Sequence, residues 1–186
     1  MEKPIIFLDF DGVINNYYSM RSMELINNKC IDVLKRIIHE TNAKVVVTSS
    51  NKYKYQNNNT IEEFQNSEYV KGLKLKNIGI HDCTPLVNQN REQEIKEYLT
   101  THPEIEQYVI LDDDYILESF KEHEIFLDLQ AGLKEKHIIP AIRILNGKLN
   151  FYHDCTKEQL SETIEEREIR MNQVISEMDK NNEFQK

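Results

Sequence analysis

At 186 residues, with 39% hydrophobic and 30% charged side chains, the chain is long enough to bury one ordinary core and reads as a soluble globular protein. Its apolar runs fall far short of a membrane span or a signal-peptide core, so the expected location is cytoplasmic, with delivery by a non-classical route left open. The net charge of −9 arises within residues 101–186 while residues 1–100 balance, which excludes a generic basic surface for nucleic acid but leaves room for a local groove.

The first predicted element is the short apolar strand "PIIFLDF", which runs into Asp9-Phe10-Asp11-Gly12. Asn28 to Glu40 follows with Cys30, Ile31, Leu34, Ile37 and Ile38 at helical spacing. A second strand, "AKVVVTSS", is β-branched and closes on Thr48-Ser49-Ser50. The polar stretch "NKYKYQNNNT" comes next, then a short helix expected at about Ile61 to Val70. Lys52 and Lys54 interleave there with Tyr53 and Tyr55, and the stretch reads either as a flexible polar loop or as the lining of an opening. Glu92 to Leu99 reads as a helix through Ile95, Tyr98 and Leu99. The third strand, "QYVILDDD", ends in Asp112-Asp113-Asp114, and the fourth is "HEIFLDL".

Thr156 and Gln159 fit a capping box, and Leu160, Ile164, Met171, Ile175 and Met178 continue it as a long amphipathic helix. That helix either packs on the domain or serves a homodimer or partner contact. The division expected is a core over residues 1–153 and this helix with a frayed tail over 154–186. Cys30, Cys83 and Cys155 are odd in number, widely spaced and without a C-x-x-C, which predicts reduced thiols rather than a zinc site.

Continuous apolar strands separated by amphipathic helices predict an α/β fold with a doubly wound, mostly parallel sheet. Sites in such folds lie beyond the C-terminal ends of the strands. Taken singly, a D-x-D-G can be a turn, "TSS" a helix cap and "DDD" a solvated loop. Together they bring acids, hydroxyls and acids to one rim, where converging carboxylates require a cation. Hard oxygen ligands suit Mg²⁺, and a carboxylate-held magnesium beside hydroxyl donors suits a phosphoryl group. Asp9 and Asp11, two residues apart on an extended segment, face the same side, so one can attack phosphorus while the other handles protons.

"DFDGV" after an apolar strand, a Ser/Thr closing the next strand, a basic residue opening a later helix and an acidic pair closing a further strand resemble the four motifs of the haloacid dehalogenase (HAD) superfamily of phosphatases. The resemblance implies a HAD-like Rossmannoid core in which Asp9 is the nucleophile and Asp11 the general acid/base. It implies Thr48, with Ser49 as the alternative, as the phosphate-binding hydroxyl. Asp112 and Asp113 become the magnesium ligands, completed by Asp9 and the backbone carbonyl of Asp11. The third motif falls on Arg91 in "NREQEI", with Lys96 a weaker substitute. The acid at Asp11 resembles phosphatases and phosphomutases rather than transport ATPases or dehalogenases.

A narrower likeness, carried by "LDFDGVIN", "VVVTSS", "REQEIKEYL", "YVILDDD" and "DLQAGLKEKHIIPAIRIL", is to the small HAD domain of Swiss-army-knife RNA-repair proteins. That family commonly shows Ser-Ser-x-Trp-Arg after the second strand, where this chain has Thr48-Ser49-Ser50-Asn51-Lys52 and no tryptophan. No G-x-x-x-x-G-K-[S/T] is present in the sequence. Neither gap between motifs has room for a large cap domain. An uncapped site implies a phosphorylated, macromolecular substrate: a polynucleotide end or a phosphoprotein. The expectation is thus a Mg²⁺-dependent phosphomonoester hydrolase, with a catalytically silent phosphate-binding or partner-binding module as the alternative.

Overall fold

The structure, a computed structural model, describes residues 2–55, 64–114 and 117–154, together with Glu166, Ile169, Asn172, Gln173 and Ser176. Five apolar residues in succession, Pro4 to Leu8, leave no polar face to turn toward water, so the strand they form must be covered on both sides. That strand, β1 (Ile5–Leu8), is buried at every position and lies in the middle of the sheet. It is flanked by β2 (Lys44–Val47) and by the strand after the third helical run, here β4 (Tyr108–Asp112). The full order is β3-β2-β1-β4-β5-β6, with β3 (Ile80–Cys83), β5 (Glu124–Phe126) and β6 (Tyr152–His153), and every pairing is parallel. The α/β, doubly wound class expected from the alternating runs is therefore the fold.

Alternation along the strands sends successive side chains to opposite faces, and each face has its own helices. Ile6, Leu8, Val45, Val47, Val109 and Leu111 share a cluster with α2 (Asn28–Thr41), α3 (Glu68–Leu75) and α5 (Ile138–Leu145). Ile5, Phe7, Val46 and Ile110 pack instead with Ile95 and Tyr98 of α4 (Arg91–Thr101) and with Phe120 of the 3₁₀ turn Glu118–His123. A short helix, α1 (Tyr17–Arg21), follows β1 and begins with a capping box between Asn16 and Ser19. Asn27, Ser67 and Asn90 cap α2, α3 and α4 through their side chains, each accepting from a backbone N–H in the first turn. Asn42 ends α2 in the left-handed conformation.

The first residues of the helix expected at about Ile61 to Val70, 61–63, lie outside the described residues. Phe64 and Gln65 are helical, the chain turns at Asn66, and α3 begins after Ser67, whose side chain accepts from Val70 N–H and caps the helix.

Contacts divide the chain into two compact units, Met1–Asp154 and Cys155–Lys186. In the second, Glu166, Ile169, Asn172, Gln173 and Ser176 are helical and exposed. The apolar stripe expected on Leu160, Ile164, Met171, Ile175 and Met178 lies outside the described residues, as does Cys155. Cys30 and Cys83 are free thiols. Among the described residues no helix is long and apolar enough to cross a membrane.

Candidate active site

Register decides which residues meet at the C-terminal edge. Leu8 stands opposite both Val47 and Leu111, so the next residue on each strand falls into one row: Thr48, Asp9, Asp112. The row is tied by backbone bonds, with Thr48 N–H donating to Leu8 C=O at 2.9 Å and Asp9 N–H to Leu111 C=O at 3.1 Å. Alternation then turns all three toward the α4 side of the sheet, where Arg91 opens the helix.

Arg91 is buried, and its guanidinium pairs with Asp112 Oδ2 and lies 3.4 Å from Asp9 Oδ2. Burial works against its charge, yet the carboxylates of Asp112 and Asp9 outweigh that and raise its pKa. Residues Arg91, Glu94, Ile95 and Tyr98 make up the buried face of α4, so one helical stripe carries a cation into the site from its first turn and apolar packing from its second half.

Asp9, Asp112 and Asp113 bring carboxylate oxygens within 4.8 Å of one another. Burial pushes the Asp9 carboxyl up to about 6; Arg91 opposes the rise, Asp112 adds to it, and bonds from Ser49 and the Phe10 backbone lower it again. Asp113 is raised well above the ordinary carboxylate range, first by burial and then by Asp9 and Asp112. Asp113 reaches this position over Gly12, whose φ is +72°, and a Cβ at Gly12 would overlap the Asp113 carboxyl group. Glycine is needed there on both counts.

The donor set fits a hard divalent cation. One guanidinium faces three clustered carboxylates, and Asp9 Oδ1, though buried, has no hydrogen-bond partner among the described residues. A buried acceptor left unpaired beside two more carboxylates is costly without a cation and is what magnesium coordination uses.

Asp11 sits apart from this cluster with a different environment. Its Oδ1 accepts from Tyr69 Oη at 2.8 Å and Asn15 Nδ2 at 2.9 Å, and its Oδ2 accepts from Asn51 Nδ2 at 2.9 Å. Asn15 is fully buried; its own Oδ1 accepts from Gly12 N–H at 2.8 Å and its Nδ2 also reaches Leu25 C=O at 3.2 Å. It thereby holds the loop after β1 in the shape that presents Asp11. Burial raises the Tyr69 pKa, and so does its bond to Asp11.

Of the two candidate hydroxyls, Thr48 Oγ1 is buried with no hydrogen-bond partner among the described residues. Ser49 helps hold the Asp9 carboxyl down, and its hydroxyl accepts from Asn51 N–H at 3.3 Å. Both stay at the edge of the carboxylate cluster. Lys96, the substitute for Arg91, is exposed on α4 and plays no part in the cluster.

Of the stretch after β2, residues 56–60 lie outside the described residues, and Lys52 does not face solvent. Lys52 is buried, with Nζ paired to Glu94 Oε2 and donating to Thr84 Oγ1 at 2.9 Å and Thr48 C=O at 3.2 Å. The Tyr53 hydroxyl also bonds Glu94. Burial lowers the Lys52 pKa, opposed by Glu94. The pair fastens the turn Ser50–Tyr55 to α4, and with it the backbone beneath Thr48. Lys54 is exposed and donates to Asn51 Oδ1 at 2.6 Å.

All seven residues singled out from the sequence, Asp9, Asp11, Thr48, Ser49, Arg91, Asp112 and Asp113, thus gather at one edge. Sequence reading missed Asn15, Asn51 and Tyr69. Asn15 lies four residues after Asp11 and was within reach of a local reading, but Asn51 and Tyr69 meet Asp11 across 40 and 58 residues, and no local pattern carries such contacts.

A family model for the HAD domain in Swiss Army Knife RNA repair proteins matches residues 5–138. No curated protein and no solved structure matches the chain.

Proposed function

The chain belongs to the family of HAD domains in Swiss Army Knife RNA repair proteins, and on that premise we propose that it is a Mg²⁺-dependent phosphomonoester hydrolase working through an aspartyl phosphate on Asp9. The observation that carries the reading is the strand register, which sets Asp9 between Asp112 and Thr48, with Arg91 against two of the carboxylates. Asp9, Asp112 and Asp113, with the Asp11 carbonyl, would hold the ion. When bound, Mg²⁺ supplies positive charge against the phosphoryl oxygens.

The remaining work falls to side chains. The Asp9 carboxylate attacks phosphorus, an Asp9 oxygen–phosphorus bond forms, and the bond from phosphorus to the leaving oxygen breaks. Asp11, as the acid, gives its proton to that oxygen and releases the alcohol. The Asp11 carboxylate then takes a proton from water, whose oxygen attacks phosphorus, and the Asp9–phosphorus bond breaks to free inorganic phosphate. Ser49 and Thr48 offer hydroxyls to the phosphoryl group, and Arg91 keeps Asp9 and Asp112 oriented toward each other.

The substrate we infer is a phosphate exposed on a macromolecule, either a polynucleotide end or a phosphoprotein. Among the described residues between β2 and α4, the chain forms one 3₁₀ turn, α3 and β3, with α3 packed on the core, and no large cap closes over the acids. An uncapped edge admits a phosphate that projects from a larger body. The test is hydrolysis of an aryl phosphate with and without Mg²⁺ by wild type and Asp9→Asn. Turnover that needs both the metal and Asp9 is expected. A wild type that binds Mg²⁺ but cleaves neither aryl phosphate nor phosphorylated peptides and oligonucleotides would instead identify a silent phosphate-binding module.

A further inference from the structure

Phe10, the residue between the two aspartates, is fully buried and stacks on Tyr69 with ring centroids 4.8 Å apart and planes 20° from parallel. Its side chain leaves the opposite way from that of Asp9, into the cluster covered by α3. Phe64, also between β2 and β3, stacks on Phe10 as well, at 6.0 Å and 12°. Val70 and Leu73 bury the rest of α3 in the core, so the helix has little freedom to carry Tyr69 elsewhere. The hydroxyl at the far end of the Tyr69 ring then lands 2.8 Å from Asp11 Oδ1.

We propose that Tyr69 is a positioning residue for proton transfer, delivered by the segment between β2 and β3 and aimed by the Phe10 stack, and that it holds the Asp11 carboxyl toward the leaving oxygen. The inference rests on the phosphatase reading above. Its physical basis is the way the three described partners of Asp11 are held. Asn15 sits in the loop after β1 and Asn51 in the 3₁₀ turn after β2, each bonded to its own neighbourhood. Tyr69 is carried by a helix buried in the core and is stacked on Phe10, so its hydroxyl holds Asp11 Oδ1 in one orientation. The asparagines fix the loop, and Tyr69 fixes the group that reacts.

The experiment compares two substrates that differ in how much they need an acid. Phenyl phosphate leaves as a basic oxyanion and depends on protonation, and 4-nitrophenyl phosphate leaves well without it. Tyr69→Phe retains the ring and its stack on Phe10 while removing the hydroxyl. Because general acid catalysis contributes about 10²- to 10⁴-fold, loss of orientation should lower kcat/KM for phenyl phosphate, which reports phosphoryl transfer to Asp9, by about tenfold or more. The same variant should lose under about threefold in kcat/KM for 4-nitrophenyl phosphate, where that acid is little used, while hydrolysis of the Asp9 phosphate, common to both substrates, slows equally. In an Asp11→Asn background Tyr69→Phe should change neither substrate further, since the group it positions is gone.

An unfolding midpoint equal to wild type separates this effect from misfolding, and Phe10→Leu, which removes the stack but leaves the hydroxyl, should give the same selective loss in weaker form. Equal losses of kcat/KM on both substrates, or an additive loss on Asp11→Asn, would overturn the inference while the phosphatase reading stood. A wild type without Mg²⁺- and Asp9-dependent turnover of either substrate would remove both.

Discussion

Replacing Asp9 by asparagine should stabilise the metal-free protein. Asp9 is about 5% exposed and sits among Asp112 and Asp113 with one guanidinium to share, and its carboxyl is pushed up to about 6 from an ordinary 3.8. Keeping it ionised in the fold at pH 8 therefore costs about 3 kcal/mol relative to the unfolded chain, with the attraction of Arg91 already included. Because the folded form binds the proton more tightly, wild-type stability without metal rises as pH falls from above 6 toward 3.8, and the penalty is fully present above 6. Asparagine carries no charge and escapes it, though its amide donors meet a cluster built for a carboxylate, so a net gain of about 1–3 kcal/mol is the expected size.

Urea unfolding in EDTA at pH 8 and pH 5 measures this directly, with the Asp9→Asn advantage shrinking at the lower pH. Adding Mg²⁺ should reverse the order, because the ion stabilises wild type by binding the native state and has lost a ligand in the variant. An Asp9→Asn protein less stable than wild type in EDTA at pH 8 would refute the claim that the carboxylates are assembled at a cost that a cation relieves.

Gly12→Ala should cost about 1–3 kcal/mol from the positive φ alone and should also weaken Mg²⁺-dependent stabilisation, since the new methyl displaces the Asp113 carboxyl; thermal melts with and without Mg²⁺ read both effects. Ser49→Ala should lower kcat more than Thr48→Val, because Ser49 favours the ionised Asp9 carboxylate whereas Thr48 Oγ1 bonds nothing described, and an equal or reversed order in steady-state assays would count against this assignment. Asp154, at the end of β6, is bonded by His137 and Lys136, which outweigh burial and lower its carboxyl to about 2. That linkage contributes about 2 kcal/mol above pH 4, lost as pH falls through 2, so Asp154→Asn should lose about that much at pH 7 and the difference should narrow in acid unfolding.

The central strands were legible in the sequence because both their faces are covered, which forces unbroken apolar runs such as "IIFL" and "VVV". The edge strands were not. β3 reads Ile-His-Asp-Cys and, among the described residues, has a neighbour on one side only, with its register to β2 shifting between Val45 and Val46, and β6 is two residues long. Neither carries a pattern that a local reading could separate from a loop.

The same distinction holds at the site. Strand-end acids advertise themselves, since register does the work of bringing Asp9, Thr48 and Asp112 together once the strands are known. Arg91 was found through its place at a helix start, where the Asn90 cap and the stripe through Ile95 and Tyr98 set the helix's orientation. Lys52 read as a surface cation because nothing local announced Glu94, its partner 42 residues on. Tyr69 was hidden for a related reason: its helix begins at a cap set by Ser67, and its destination depends on an aromatic stack with Phe10 that only the folded chain assembles.

The central claim is that phosphorus passes through Asp9. The most direct measurement is to incubate the Asp11→Asn variant, in which breakdown of the intermediate is slowed, with a phosphate-labelled aryl substrate and Mg²⁺, quench in acid, and map the label by peptide mass spectrometry. The account predicts a hydroxylamine-sensitive phosphoryl group on Asp9, absent when Mg²⁺ is withheld. Label on another residue, or wild-type turnover in which no variant ever carries label, would contradict it.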